Sequence, residues 1–315
     1  MCSESTKKKK KKSIERQAIM KNFIKSPLNY TGGKYKLLEQ IVPHFPTNIG
    51  CFVDLFCGGC NVGINVEANK VILNDSCSQL QELYSYWKKN GYSEVKTEIV
   101  EKIDKYQLSK TNEDGFKRLR ESYNATHSPI ELFLLIAYSF NHQIRFNKKD
   151  EFNMPFGRNK SEFNPKMDKN LLSFINELIS DKFIITNQDF TELKVEKLKE
   201  NDLVYCDPPY LISTATYNEN GGWNEEKEFQ LLDLLDRCNS KNIKFALSNV
   251  LRHKDKSNDI LIDWSEKYNV VHLNKNYSNC NYHILDREKN LTDEVLIVNT
   301  FFNKSYKKIQ QKLHF

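Results

Sequence analysis

Hydrophobic positions along this chain change period twice, which divides it into a sheet, an interruption and a return of the sheet. The run Cys51-Phe52-Val53-Asp54-Leu55-Phe56-Cys57 has the length and composition of a buried strand, and Gly58-Gly59 end it. Residues 61–68 then read as a helix, and Lys70-Val71-Ile72-Leu73 as a second strand ending at Asn74-Asp75. From 77 to 180 the spacing becomes helical, over 77–90, 94–108, 112–124, 129–140 and 167–180. Strand texture resumes at Phe183–Thr186, at 202–206, at Lys244–Asn249, at Val270–Leu273 and at Glu294–Thr300. Helices are predicted at 225–238, with Phe229, Leu231, Leu232, Leu234 and Leu235 toward the sheet, and around 257–268. Strands alternating with helices predict an α/β fold, and no internal repeat is visible.

Two turns in this pattern carry chemistry. Leu203-Val204-Tyr205-Cys206 runs into Asp207-Pro208-Pro209-Tyr210. Neither proline has an amide N–H, so the strand ends in a stiff corner offering a carboxylate, unpaired carbonyls and an aromatic ring. Asp207 and the Pro208 carbonyl could accept both hydrogens of an exocyclic amine while Tyr210 stacks on its ring, as enzymes acting on extruded bases require. Cys206 points to the opposite side of the strand and reads as packing. The second turn, strand–Gly58-Gly59–helix–strand–Asp75, is the opening of a nucleotide-binding βαβ unit. Asp75 is placed to accept from ribose hydroxyls or to cap the following helix, and the full GxGxxG of dinucleotide sites is missing. Upstream, Tyr30-Thr31-Gly32-Gly33-Lys34 forms a glycine turn feeding a helical pattern through Leu37, Leu38 and Ile41, with bare amides and a lysine beside a positive dipole end. Gln188-Asp189-Phe190 follows the 183–186 strand and could cover an adenine ring.

Between the helical segments, residues 141–160 read as a β-hairpin. Aromatics are interleaved there with Arg145, Lys148, Lys149, Arg158 and Lys160. A two-stranded ribbon fits a DNA major groove, and arginine is the usual bidentate partner of guanine. A charged surface hairpin explains the same pattern. The polar stretch 274–293, with Lys275, Asn279, Asn281, His283, Arg287 and Lys289, could touch phosphates or be a solvated tip.

Charge sharpens the picture. The 315 residues carry a net +6, yet residues 1–25 hold nine Lys/Arg against two acids, which leaves the body at −1. A near-neutral body that binds nucleic acid must gather its basic side chains on one face, whereas the lysine-rich tail reads as a disordered solubilising extension. No apolar run is long enough to span a membrane and no signal core is visible, so the eight cysteines are expected to be reduced thiols in the cytosol or nucleus. Cys57 and Cys60 form a CxxC without a second pair at zinc spacing, and no metal is expected.

From about Ser26 to Thr300 the chain resembles the Dam-type N6-adenine DNA methyltransferases of the D12 class, with the T-even phage Dam enzymes nearest. The motifs that carry the resemblance are Tyr30–Lys34, Asp54–Gly59, the insertion and Asp207–Tyr210, in the order of the α group of amino-methyltransferases. The resemblance implies a Rossmann-like, S-adenosylmethionine-dependent sheet with a mostly helical insertion carrying a β-hairpin for target recognition. A basic tail (1–25) would precede a catalytic domain of 26–76 and 181–303, interrupted by a target-recognition insertion (77–180) and followed by a C-terminal tail (304–315). It implies Tyr30, Gly32, Gly33, Lys34, Asp54, Phe56, Gly58, Gly59, Asp75, Asp189, Phe190 and Asp207 around S-adenosylmethionine. Asp54, Phe56 and Gly58 would surround the methionine portion. Asp207, Pro208, Pro209 and Tyr210 would be the catalytic corner.

On double-stranded DNA, Arg145 matches the guanine-reading arginine of the family and Pro155 the proline packed on a thymine methyl. Phe140 matches an aromatic that props the duplex open, and Lys34 would approach the outermost base pair. Arg158 adds a basic contact. The chain departs from the family at Gln143, where relatives carry an apolar residue, and at Asn159, where they carry Tyr or Arg. GATC is the first expectation for the target, with other four-base palindromes bearing adenine second close behind, since Gln pairs with adenine. A cytoplasmic monomer or weak dimer is expected, with a cognate restriction nuclease left open. Methylation of RNA or a protein amide on the same fold, a catalytically inactive DNA-binding module and, more distantly, a nicotinamide dehydrogenase are the rival readings.

Overall fold

Strand β1 (Cys51–Asp54) is an interior strand of the sheet in a computed structural model that describes residues 23–212, 222–273 and 292–300. The basic stretch 1–22, residues 274–291 and the C-terminal tail lie outside the described residues. So do the expectations placed on Lys275, Asn279, Asn281, His283, Arg287 and Lys289. From β1 the chain steps outward through β2 (Lys70–Asn74) and β3 (Phe183–Thr186). It then returns to the other side of β1 with β4 (Leu203–Cys206) and β5 (Lys244–His253), all of these pairing in parallel. A two-residue strand, β6 (Lys256–Ser257), folds back on β5. The far edge is β7 (Asn269–Leu273), separated from β5 by the antiparallel β8 (Thr292–Val298). The order is therefore β3-β2-β1-β4-β5-β8-β7. Its first five strands follow the doubly wound dinucleotide-binding sheet, and the reversed β8 departs from it. Strand order changes direction between β1 and β4, and ligands of such sheets bind at that point, outside the carboxyl ends of the strands.

Alternation along the strands sorts their side chains to two apolar layers. Phe52, Leu203, Tyr205 and Leu296 enter one layer, whereas Val53, Val204, Cys206 and Ile297 enter the other. The second layer is closed by α5 (Glu225–Ser240) and α6 (Asp259–Ser265) through Leu231, Leu232, Leu234, Leu235 and Leu261. Phe229, expected on that face, is instead 57% exposed. It sits two positions before Leu231, on the opposite side of the helix.

The first layer runs without a break into the insertion, built from α1 (Ser78–Tyr106), α2 (Glu113–Thr126), α3 (Pro129–Tyr138) and α4 (Pro165–Leu178). Helix α1 breaks at Gly91, whose φ of +73° no ordinary residue holds cheaply, and this separates the two helical segments read from the sequence. Asparagine side chains cap α2, α4, α5 and α6: Asn112, Asn164, Asn224 and Asn258 each accept from a first-turn amide. Helix α3 is apolar nearly all round and every residue from Ile130 to Tyr138 is buried, including Glu131, which accepts from Lys102, Tyr106, Ser122 and Thr126.

Two expectations change. Residues 61–68 form a single turn, Gly63–Asn65, rather than a helix. Gly63 and the β-branched Val62, Ile64 and Val66 disfavour a long helix. The hairpin at 141–160 is held by isolated bridges, Phe146 to Phe152 and Ser139 to Phe156, without continuous strands.

Candidate active site

The carboxyl ends of β1 and β4 meet at the reversal point, with Asp54 directly opposite Tyr205 in register. Beyond β1 the chain turns through Gly58, whose φ is +45° and whose added Cβ would lie 2.6 Å from the Tyr30 ring. Only glycine permits that turn beneath the ring. Tyr30 itself sits in a turn closed by the Gly33 N–H donating to the Tyr30 carbonyl (3.1 Å), with Gly32 at φ +80°. The two glycine turns, the Asp207–Tyr210 corner, Asp75 and Phe190 line one continuous cavity of about 580 Å³.

Asp54, Asp75 and Asp207 line this space. Asp54 is buried; its Oδ2 accepts from the Gly63 N–H (2.9 Å), while Oδ1 has no hydrogen-bond partner. Burial, against the Gly63 hydrogen bond and aided by Asp207 and Asp75, pushes its pKa to about 8. Asp75 accepts from the Gly58 N–H (2.8 Å) and the Cys77 N–H (2.9 Å), so it ties the glycine turn to the start of α1, and burial raises its pKa. Asn74 fixes the same region: its amide donates to the Leu55 and Gln188 carbonyls and accepts from Thr186 and the Gln188 N–H.

Asp207 is gripped from within the protein. Lys34 Nζ donates to its Oδ2 at 2.7 Å and to the Tyr210 hydroxyl at 2.7 Å, while that hydroxyl donates to Asp207 Oδ1 at 3.1 Å. Burial raises the Asp207 pKa, and the Lys34 ammonium opposes the rise. Two expectations shift here. Tyr210 points its hydroxyl at the carboxylate, an arrangement that holds the corner closed. Lys34, expected also at the outermost base pair, is 2% exposed and turned inward. A further acid, Glu294 of β8, lies 3.7 Å from Lys34. Nothing in the local sequence around Glu294 signals this, because it arises from the placement of β8.

Asp189 caps the turn leading to Phe190 and lies at the cavity rim. Phe190 packs on Phe56 and on Trp223 at 5.4 Å, and Phe56 meets Trp223 edge-on at 5.6 Å. Trp223 escaped the sequence reading, although a tryptophan two residues before the start of an amphipathic helix is a signal of burial. Its indole N–H donates to the buried Glu228, which also accepts from Asn258. Cys206 packs on the far layer, as expected.

The insertion places its candidates in two groups. Phe140 is 47% exposed at a turn held by Asn29, whose amide donates to the Asn141 carbonyl. Arg145 is exposed, and its Nε and Nη2 donate to the Asn153 side-chain and main-chain oxygens at 2.7 and 2.9 Å. Gln143 is half-buried and Pro155 exposed, its carbonyl accepting from the Phe140 N–H. Arg158 is paired with Glu113. Asn159 has φ +63°, which Asn tolerates better than the Tyr or Arg of the family pattern. The hairpin turn brings Asp150 to the mouth of the cavity, so the ribbon and the cavity adjoin.

A doubly wound sheet with a ligand cavity at its reversal point, an acid-proline-proline-aromatic corner inside it and a helical insertion beside it define a Rossmann-like methyltransferase fold. Residues 30–279 match the D12 class N6 adenine-specific DNA methyltransferases, and the chain belongs to that family. It is 50% identical over 282 residues to the type II methyltransferase M.FokI of Planomicrobium okeanokoites, covering 88% of this chain and 43% of the relative. Modification methylase StsI of Streptococcus sanguinis is 46% identical over 290 residues, 90% of this chain and 44% of the relative. A DNA adenine methylase of Salmonella typhi is 30% identical over 232 residues, 70% of this chain and 79% of the relative. The chain spans less than half the length of the first two.

Proposed function

We propose that this chain transfers a methyl group from S-adenosylmethionine to N6 of an adenine turned out of duplex DNA, within a short site for which GATC is the first candidate. One observation carries the proposal: the Asp207–Tyr210 corner and the Gly58 turn open on the same cavity. The donor set suits a cationic ligand. Asp54 offers a buried, unpartnered oxygen, and a carboxyl with a pKa of about 8 gains most from a neighbouring ammonium. Asp54 would hold the amino group, Asp75 the ribose, and Phe56, Phe190 and Trp223 the adenine, with Tyr30 and the Gly32, Gly33, Gly58 and Gly59 backbone shaping the remainder. Bound there, S-adenosylmethionine supplies a methyl group on a positively charged sulfur.

The chain's own residues must make the adenine amine nucleophilic. Its lone pair is delocalised into the ring. Asp207 and the Pro208 carbonyl, accepting its two hydrogens, would localise that pair on nitrogen. Positive charge then develops beside a fixed carboxylate, which stabilises the transition state more than the ground state. The Tyr210 hydroxyl has to leave Asp207 Oδ1 for the amine to take its place, and the released ring is then available to stack on the base. Arg145, with one edge pinned by Asn153, presents its other edge for bidentate contact with guanine. Phe140 is exposed where a wedge into the duplex is needed, with Pro155 and Gln143 beside it. Arg158 and Asn159 extend the same face. Double-stranded DNA is then the partner and the cytoplasm the place of action; no helix among the described residues is long and apolar enough to cross a membrane. A monomer or weak dimer would suffice, and the modification-methylase names of the relatives make a cognate nuclease a reasonable partner. Labelled methyl transfer paired with filter binding tests the proposal: Asp207→Ala should lose transfer and keep DNA binding, and a variant that still methylates would refute the assignment.

A further inference from the structure

Strand β4 pairs with only the first four residues of β5, from Leu203 opposite Lys244 to Cys206 opposite Leu247, and then turns away at Asp207. Strand β5 continues to His253. Arg252 there pairs with Asp293 of β8 and also with Ser257 of β6, so β6 occupies the other edge of β5, in the lane that β4 has left. Depth is set by Glu294, level with Val250, which lies 3.7 Å from the Lys34 that holds Asp207. His253 faces Thr292, two residues nearer the start of β8, so the hairpin tip stands about 7 Å farther out than the Asp207 corner. A register shift between Val250 and Arg252 adds twist to the ribbon. The tip is fastened to β8 where His253 Nδ1 and Thr292 Oγ1 lie 2.7 Å apart.

This hairpin is basic. Arg252, Lys254 and Lys256 are all exposed, and among the described residues none of them has an acidic partner within ion-pair reach. Asp255 is the single acid of the tip, while Asp293, opposite Arg252, is taken by His272 at 2.7 Å. Three cations against one acid leave +2 within six residues, on a chain that sums to −1 beyond residue 25. The insertion with the 141–160 ribbon joins β2 to β3, on the other side of β1, so the corner lies between ribbon and hairpin. We propose that the β5–β6 hairpin grips the sugar-phosphate backbone of duplex DNA beside the extruded adenine, on the flank away from the ribbon. The inference rests on the proposed adenine methylation. A base turned into the corner leaves its own phosphates just outside it, where exposed ammonium and guanidinium groups attract them whatever the sequence. Arg252 suits a phosphate oxygen pair, and the two lysines act as point charges on flexible stems. The hairpin thus positions the duplex and the ribbon reads it.

The test is duplex binding by the full chain as a function of salt, for wild type and the triple variant Arg252→Gln/Lys254→Gln/Lys256→Gln. A control, Lys70→Gln/Lys199→Gln/Lys241→Gln, removes three exposed charges at the amino ends of β2, β4 and β5, the opposite edge of the sheet. The logarithm of affinity falls with the logarithm of salt concentration by about 0.9 for each phosphate contact. The hairpin triple should therefore flatten this slope by about 2–3 and lose roughly tenfold in affinity per contact at about 0.1 M salt. The loss should be the same on methylatable and unrelated duplexes. S-adenosylhomocysteine binding should not change, and the control should keep the wild-type slope. A wild-type slope in the hairpin triple, an equal loss in the control, or a loss confined to the methylatable duplex would overturn the proposal. If the triple melts below wild type, Lys254→Gln carries the test alone: its slope should be flatter by about one contact, and an unchanged slope overturns the proposal. A wild type that methylates no duplex would defeat the adenine chemistry itself, whereas methylation by wild type beside an unaltered hairpin triple would defeat only the role of the hairpin.

Discussion

Asp54→Asn separates the stability of the empty site from its affinity for a ligand. The wild-type carboxyl is buried with one partner, the Gly63 N–H, and a pKa of about 8, against about 3.9 in the unfolded chain. Because the folded state holds the proton more tightly, this group's contribution is greatest below about pH 4 and is lost as pH rises toward 8. Between pH 5 and pH 8 the loss amounts to about 4 kcal/mol. Asparagine can keep the Gly63 hydrogen bond and has no charge to bury. In the absence of ligand, Asp54→Asn should therefore gain on wild type in thermal melts as pH rises across this interval, by about 2–4 °C for each kcal/mol. Binding should move the opposite way. At pH 7 a carboxyl with a pKa of about 8 is mostly protonated, so placing an ammonium beside it expels close to one proton. Calorimetry of S-adenosylhomocysteine binding in buffers of different ionisation enthalpy measures that proton directly. Wild type should release it, and Asp54→Asn should release none and bind much more weakly. Binding by wild type without proton release at pH 7, or undiminished affinity in Asp54→Asn, would refute the reasoning.

Four further outcomes are expected. Gly58→Ala must hold a left-handed backbone with its Cβ 2.6 Å from the Tyr30 ring, so about 1–2 kcal/mol of backbone strain and a displaced ring should weaken S-adenosylhomocysteine binding by calorimetry. Arg145→Ala should cost about 1–3 kcal/mol on the cognate site and relax one position of the target. Asn153→Ala should relax the same position to a smaller degree, as read by binding to a panel of single-base variants. Tyr210→Phe keeps the ring and removes the hydroxyl held by Asp207, so it should retain most of the turnover that Tyr210→Ala loses; equal losses in the two would show that stacking is not the ring's task.

The strands were legible where both faces are buried, because continuous apolar runs such as Leu203–Cys206 suit little else. The Asp207 corner and the glycine turns were legible because proline and glycine act on the backbone locally. What escaped depends on contacts between distant elements. Glu294 reaches Lys34 only because a reversed strand enters the sheet, and Trp223 meets Phe56 only through the packing of α5. Lys34 and Tyr210 line the cavity but take partners that the sequence did not suggest, since a buried ammonium seeks the nearest carboxylate before any ligand arrives. Arg158 reads as a DNA contact in sequence, while in the fold Glu113 lies within its reach. Asn159 stands apart from the family pattern for a backbone reason, its positive φ, which no side-chain argument reveals.

Mapping modified adenines in DNA from cells that express the chain tests the central claim most directly. Wild type should leave N6-methyladenine at one short recurring sequence, and Asp207→Ala, expressed to the same level, should leave none. Unmodified adenine throughout the wild-type sample, or the same marks in the Asp207→Ala sample, would contradict it.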